Sequence, residues 1–452
     1  MTPLRSGVKL TLMKKLLGII VLGILLSNNV EAKPDWSKCD KDEFYKPLYC
    51  YGPDGKLLSK SERKKVKKEE IITVYDEESW KIPSSKSPNK ATLIYYHFKY
   101  LHGSPKMNYE IQPSENPYEF KSDLREDKYV KKEMQKKAIL SYLFFEGDKI
   151  VIDEKSPKEK FGEFIDDQTK LRSMSVGKSL ISYVLGHAIC GGYIDSVDQR
   201  IDDWDLVKNT LYDGQKLIDL LNMAAGDQKY VYDSYFLSNP SVVTHLQIAD
   251  DANLAYYMTT QFQGTKKSKS KYNYNIINTN LIFNYILFKS GDDFEKILDE
   301  TFKNKARIKN SVYFYKMYGP KEDGIANSMF YATRYDYLRI AKAIADDYQN
   351  NTCVGKYLKE IYDRKIPKNI NHDGDKSEPL FNRTYSYGGQ FHLDYPGLKK
   401  RIVFGMGGYG GQAILIDVEN SRIVVVNSIH YNNTKYKYNH KKLLIDPIKK
   451  GK

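Results

Sequence analysis

The patterned part of the chain opens with two runs rich in branched and aromatic residues, 138–145 and 149–153, separated by Glu146-Gly147-Asp148. That arrangement predicts a β-hairpin. Between 175 and 190 the period changes: Val176, Leu180, Val184 and Ala188 recur at helical spacing, are joined by Ile181, Leu185 and Ile189, and stop at Gly191-Gly192. A helix buried on most sides and ended by glycine is expected there. The stretch from 217 to about 365 reads as mainly helical, most clearly at 217–221 and 337–345. Strand patterns return at 401–404, 413–418 and 423–429, the last two linked by Glu419-Asn420-Ser421-Arg422. Strands early, helices in the middle and strands late predict an α+β fold, an antiparallel sheet assembled from both ends of the chain and flanked by helices, with a helical insertion at about 217–365.

Ahead of this region, residues 33–130 are rich in Lys, Pro and Tyr with weak periodicity and read as an irregular N-terminal extension to a body at 131–452. The mixed-charge run at 60–70 reads as a solvated helix face. Met13-Lys14-Lys15, an apolar run at 16–26 and Val30-Glu31-Ala32 have the layout of a secretory signal peptide covering 1–32. The apolar core is too short to span a membrane, and no later run reaches about 20 apolar residues. A mature protein without a membrane segment, periplasmic or secreted, is expected.

Composition narrows the options. The chain has 452 residues, 41% of them hydrophobic, with 38 Tyr and 18 Phe; its mean hydropathy of −0.58 excludes a polytopic membrane protein. Aromatic content of this kind argues against disorder along the whole chain. The net charge of +14 falls to +11 once Arg5, Lys9, Lys14, Lys15 and Glu31 leave with the leader. Basic residues are interspersed with Asp and Glu except in a block at 56–68, so nucleic acid is not the expected partner. Of the four cysteines, Cys39 and Cys50 sit in a loop-like region and are expected to form a disulfide in an exported chain, whereas Cys190 lies in the apolar helix and reads as core.

The candidate chemistry lies in Arg172-Ser173-Met174-Ser175-Val176-Gly177-Lys178-Ser179. Ser175 and Lys178 are three residues apart at a helix start, so their side chains share a face. The positive potential of a helix N-terminus favours an alkoxide and disfavours a protonated lysine, which can activate a hydroxyl without histidine.

Ser-Met-Ser-Val-Gly-Lys-Ser and the helix after it resemble the active-site helix of the serine β-lactamase-related family, which includes class C β-lactamases, esterases and 6-aminohexanoate-dimer hydrolases. Further segments resemble that family in its order: Gly191-Gly192-Tyr193-Ile194-Asp195, then Leu220-Leu221-Asn222-Met223-Ala224-Ala225-Gly226, then Tyr272-Asn273-Tyr274-Asn275 and its continuation to Leu281, then Ala332-Thr333-Arg334-Tyr335-Asp336, and Gly408-Tyr409-Gly410-Gly411-Gln412. The resemblance implies a β-lactamase/transpeptidase-like α/β sandwich. It also implies an acyl-enzyme hydrolase of amides or esters that uses no cofactor. By position it makes Ser175 the nucleophile, Lys178 its proton partner and Tyr274 the phenol of the second motif. The oxyanion hole would be the backbone N–H groups of Ser175 and Tyr409, with Asn275, Gly408 and Gly410 at the substrate.

This chain departs from the pattern twice. The Asn that stands two residues after the tyrosine in class C enzymes is absent, and Asn275 is expected to substitute. The third motif falls on Met406-Gly407-Gly408, with no lysine or histidine for a β-lactam carboxylate, so antibiotics are not the expected substrate. The alternative reading is a penicillin-binding-like cell-envelope protein that has lost turnover. No Gly-x-Ser-x-Gly elbow is present, the eight histidines show no metal-ligand spacing, Asp373-Gly374-Asp375 reads as a solvated turn, and His430 reads as structural.

Overall fold

The computed structural model describes residues 48–51, 59–65, 72–75, 108–162, 165–231, 254–317, 325–368, 380–398, 400–429 and 436–450. In chain order its strands are β1 (Leu48–Tyr51), β2 (Ile72–Tyr75), β3 (Asn108–Ile111), β4 (Lys121–Ser122), β5 (Ile139–Glu146), β6 (Lys149–Lys155), β7 (Leu171–Arg172), β8 (Val312–Met317), β9 (Ile325–Ala332), β10 (Ile366–Pro367), β11 (Ser386–Gly388), β12 (Phe391–Leu393), β13 (Val403–Gly408), β14 (Gln412–Asp417) and β15 (Arg422–Ser428). The principal helices are α1 (Lys128–Lys136), α2 (Val176–Cys190), α3 (Leu217–Leu221), α4 (Ile277–Ser290), α5 (Arg334–Gln349) and α6 (Cys353–Asp363).

The main sheet runs β10-β11-β12-β13-β14-β15-β5-β6-β4 and is antiparallel except where β4 joins β6. Its centre unites the two ends of the patterned sequence: β15 lies on β5 with Arg422 opposite Glu146 and Val424 opposite Phe144. The β5–β6 hairpin closes through Gly147 at φ +68°, with Glu146 opposite Lys149. Alternation along the strands sends residues to two cores. Leu143, Phe145, Ile414, Ile416, Ile423 and Val425 join one, while Tyr142, Phe144, Ala413, Leu415, Val424 and Val426 join the other. Burial on both faces is why these strands read as continuous apolar runs. α1 and Leu443, Leu444 and Ile448 cover the second face. On the first, α5 packs on β14 and β15, α6 packs on α5 and α2, and α2 is buried from Val176 to Ala188. This is an α/β sandwich with an antiparallel sheet.

A second sheet, β3-β8-β9-β7, modifies the expected layout. β8 and β9 fall inside the stretch read as mainly helical; Val312-Tyr313-Phe314-Tyr315 carries the β-branched and aromatic character of a strand. β3 and β4, read from the sequence as part of the extension before 130, pair with β8 and β6. Residues 108–130 therefore belong structurally to the folded body. Strands of two to four residues are too short to show a period.

The cysteine reading also changes. Cys190, expected in the core, forms a disulfide with Cys353 across a separation of 163 residues, joining the end of α2 to the start of α6. Cys39 and the side chain of Cys50 lie outside the described residues, as do the expected leader, the 373–375 turn and His430.

Candidate active site

The turn before α2 is tightly held. Ser173 N–H donates to the Phe330 carbonyl at 2.8 Å. Its Oγ accepts from Phe330 N–H at 2.9 Å and donates to the Met174 carbonyl at 2.9 Å. Met174 sits at φ +49°, a left-handed conformation that costs a non-glycine residue energy and is tolerated where the surroundings impose it. Ser175 follows as the N-cap of α2, half-buried, with no side-chain capping bond. Serine at this position commonly spends its hydroxyl on an N–H of the first turn; here it does not.

Two glycines set how closely the neighbouring strands approach. A Cβ on Gly177 would lie 1.7 Å from the Ser328 carbonyl oxygen, so the first turn of α2 is pressed onto β9. A Cβ on Gly408 would lie 2.5 Å from the Ser173 carbonyl oxygen, so the end of β13 lies against the turn that carries Ser175. Beyond it the β13–β14 hairpin turns through Gly410 at φ +82° and Gly411 at φ +91°, leaving Tyr409 at the tip with 45% exposure.

Lys178 is buried, and its Nζ lies 5.5 Å from the centroid of the Tyr274 ring, itself buried. Tyr274 packs with Met223 and Tyr387, with Tyr272 at the edge of the same cluster. The two tyrosines of the motif face different cations: Tyr274 meets Lys178, and Tyr272 lies 5.6 Å from the Nζ of Lys368.

The loop carrying Tyr274 is anchored by a buried carboxylate. Asp227 accepts from Asn273 Nδ2 at 2.8 Å, Asn275 Nδ2 at 3.0 Å and the Tyr212 hydroxyl at 3.1 Å. Burial raises its pKa against the pull of those donors. Asn275 is only 1% exposed; its Nδ2 also donates to the Asn273 carbonyl and its Oδ1 accepts from Asn278 N–H. The side chain expected at the substrate is thus committed to holding the loop and the start of α4. A polar side chain inside a motif can serve the backbone as readily as a ligand, and spacing does not separate the two.

Sequence reading missed three further residues. Gln390, in the β11–β12 turn at φ +65°, binds the carbonyls of Leu220 and Leu221 through Nε2, receives the Thr279 hydroxyl on Oε1, and takes the Ser179 hydroxyl on its own carbonyl. It ties α2, α3 and α4 to the sheet. Lys368 and His392 are joined at 2.8 Å between Nζ and Nδ1 beside the tyrosine cluster. No local motif marks any of the three. Among the described residues no group of three or more His, Cys, Asp or Glu could hold a metal ion, and no helix is long and apolar enough to cross a membrane.

The overall fold is shared with solved proteins. A candidate 6-aminohexanoate-dimer hydrolase from Bacillus anthracis is similar at a TM-score of 0.56 and 14% identity, over 78% of this chain and 92% of that one. A candidate β-lactamase from Bacteroides dorei is similar at 0.50 and 13%, over 71% and 95%. No family model and no curated protein sequence matches the chain. The fold is a serine β-lactamase-related fold, as in these neighbours. The β-lactamase-related fold expected from the sequence agrees with these neighbours.

Proposed function

We propose that the chain is an exported serine hydrolase that cleaves a small-molecule amide or ester through an acyl-enzyme on Ser175. The observation that carries this reading is the meeting of buried Lys178 with Tyr274, one helical turn after Ser175, whose hydroxyl makes no capping bond at the start of α2. In this reading the Ser175 hydroxyl gives its proton to the Lys178–Tyr274 pair as Oγ attacks the substrate carbonyl. The oxyanion is received by the backbone N–H groups of Ser175 and Tyr409. Collapse returns a proton to the leaving amine or alcohol, and water then attacks the acyl-serine with the same groups acting in reverse. Gly408 and Gly410 let the hairpin backbone approach the substrate edge. Export is supported by the Cys190–Cys353 bond, since disulfides persist in oxidising compartments.

Labelling with a fluorophosphonate and mapping the modified peptide tests the assignment. The adduct is expected on Ser175 and is lost in a folded Ser175→Ala variant; an adduct on Ser173, or one that survives the substitution, overturns it. A stable adduct on Ser175 without turnover of any ester or amide would point instead to the penicillin-binding-like alternative, which the missing third-motif cation favours.

A further inference from the structure

A second cation is buried behind the tyrosine cluster. Lys368, just after β10, is 2% exposed, and its Nζ donates to the Phe381 carbonyl at 2.6 Å, to Thr384 Oγ1 and to His392 Nδ1 at 2.8 Å. The same nitrogen stands 5.6 Å from the Tyr272 ring centroid and 5.7 Å from that of Tyr387. Three acceptors for three ammonium protons, with two aromatic faces alongside, form a setting built for a cation. Burial and the neighbouring Lys368 charge hold His392 well below its ordinary pKa, so the neutral imidazole accepts from the Lys368 ammonium on Nδ1.

The imidazole touches both sides of the cluster. Its ring lies 6.0 Å from that of Tyr274 and 5.1 Å from that of Tyr387, which meets Tyr274 edge-on at 5.9 Å. The groups that meet Tyr274 include Lys178 from α2, His392 from β12, Tyr387 from β11 and Tyr272 from its own loop; Asp227 reaches that loop through Asn273 and Asn275. Lys368 is held by His392 on one side and the 380–383 turn on the other.

We propose that Lys368, held by His392, is a positioning residue for the phenol of Tyr274, its buried charge favouring the phenolate needed to take a proton. The proposal rests on the reading of Tyr274 as a member of the proton relay. Lys368 has no donor left for a substrate once its three contacts are made, so it acts through the field and the packing of the cluster.

The experiment follows the pH dependence of kcat/KM with p-nitrophenyl acetate. Removing a positive charge makes the phenolate harder to form, so Lys368→Met is expected to move the acid limb upward by on the order of one pH unit. Lys368→Arg keeps the charge and is expected to restore the wild-type limb. A residue that only braces the fold would lower the plateau or the melting temperature without moving the limb. An unmoved limb in folded Lys368→Met overturns the proposal. If that variant does not fold, Lys368→Gln, which keeps an N–H for the Phe381 carbonyl, carries the same expectation and the same refutation. Tyr274→Phe is measured in parallel: full activity there removes the relay reading and this proposal together, whereas an impaired Tyr274→Phe beside an unmoved Lys368 limb removes only the role of Lys368.

Discussion

The Nζ of Lys178 stands 5.5 Å from the centre of the Tyr274 ring, both side chains buried, with the half-buried Ser175 one helical turn ahead of the lysine. Tyr272, two residues earlier, turns instead toward Lys368. The two hydroxyls should therefore differ in their effect on rate. Tyr274→Phe is expected to lower kcat by about 10² to 10⁴, the usual range for general acid–base help, with Tyr272→Phe costing far less. Steady-state kinetics on an activated ester compares them; equal losses would mean that the motif is out of register.

Gly177 offers a stability test in which two effects oppose each other. Alanine is the better helix former by about 1 kcal/mol, but its Cβ would lie 1.7 Å from the Ser328 carbonyl oxygen. Overpacking against backbone costs typically about 1–3 kcal/mol and occasionally more, so Gly177→Ala should destabilise. A lowered urea midpoint at unchanged m-value is the expected result, and an equal or raised midpoint would refute the close approach of α2 to β9.

His187 should make stability fall in mild acid. Burial pushes its pKa down from 6.5 to about 4, and its Nε2 is buried without a hydrogen-bond partner. A group whose pKa is depressed on folding contributes stability that is complete above its unfolded value and is lost as pH falls toward the folded one. The window is therefore between about pH 6.5 and pH 4, and the loss reaches roughly 3 kcal/mol at its lower end. His187→Phe keeps an aromatic ring against Tyr183 and should shrink the drop in unfolding free energy between pH 7 and pH 5. The buried His392 titrates in the same direction, so the slope shrinks without vanishing.

The Cys190–Cys353 bond closes a long segment between α2 and α6. Peptide mapping without reduction should recover the two cysteines joined. Reduction, or Cys353→Ser, should lower stability by about 2–5 kcal/mol, read as a fall in melting temperature. Recovery of both as free thiols would refute the bond.

What the sequence determined by itself was local. The apolar period of α2, the Gly147 hairpin and the continuous apolar strands of β14 and β15 were legible because each follows from a repeat within a few residues. Ser175 and Lys178 could be paired for the same reason, since one turn of helix fixes their relation. The ordered motifs then pointed to the fold. What only the tertiary structure decided depends on distant chain segments meeting. It set Tyr274 over Lys178 and Tyr272 beside Lys368, turned Asn275 inward to Asp227, and made Gln390 a tie among three helices. It also bonded Cys190 to Cys353 and placed β3, β4, β8 and β9 in sheets. A short edge strand has too few residues to show a period, and a side chain's partner across the core leaves no trace in its neighbours along the chain. Those contacts arise when burial of the two apolar faces brings the segments together, and burial acts through space without regard to sequence spacing.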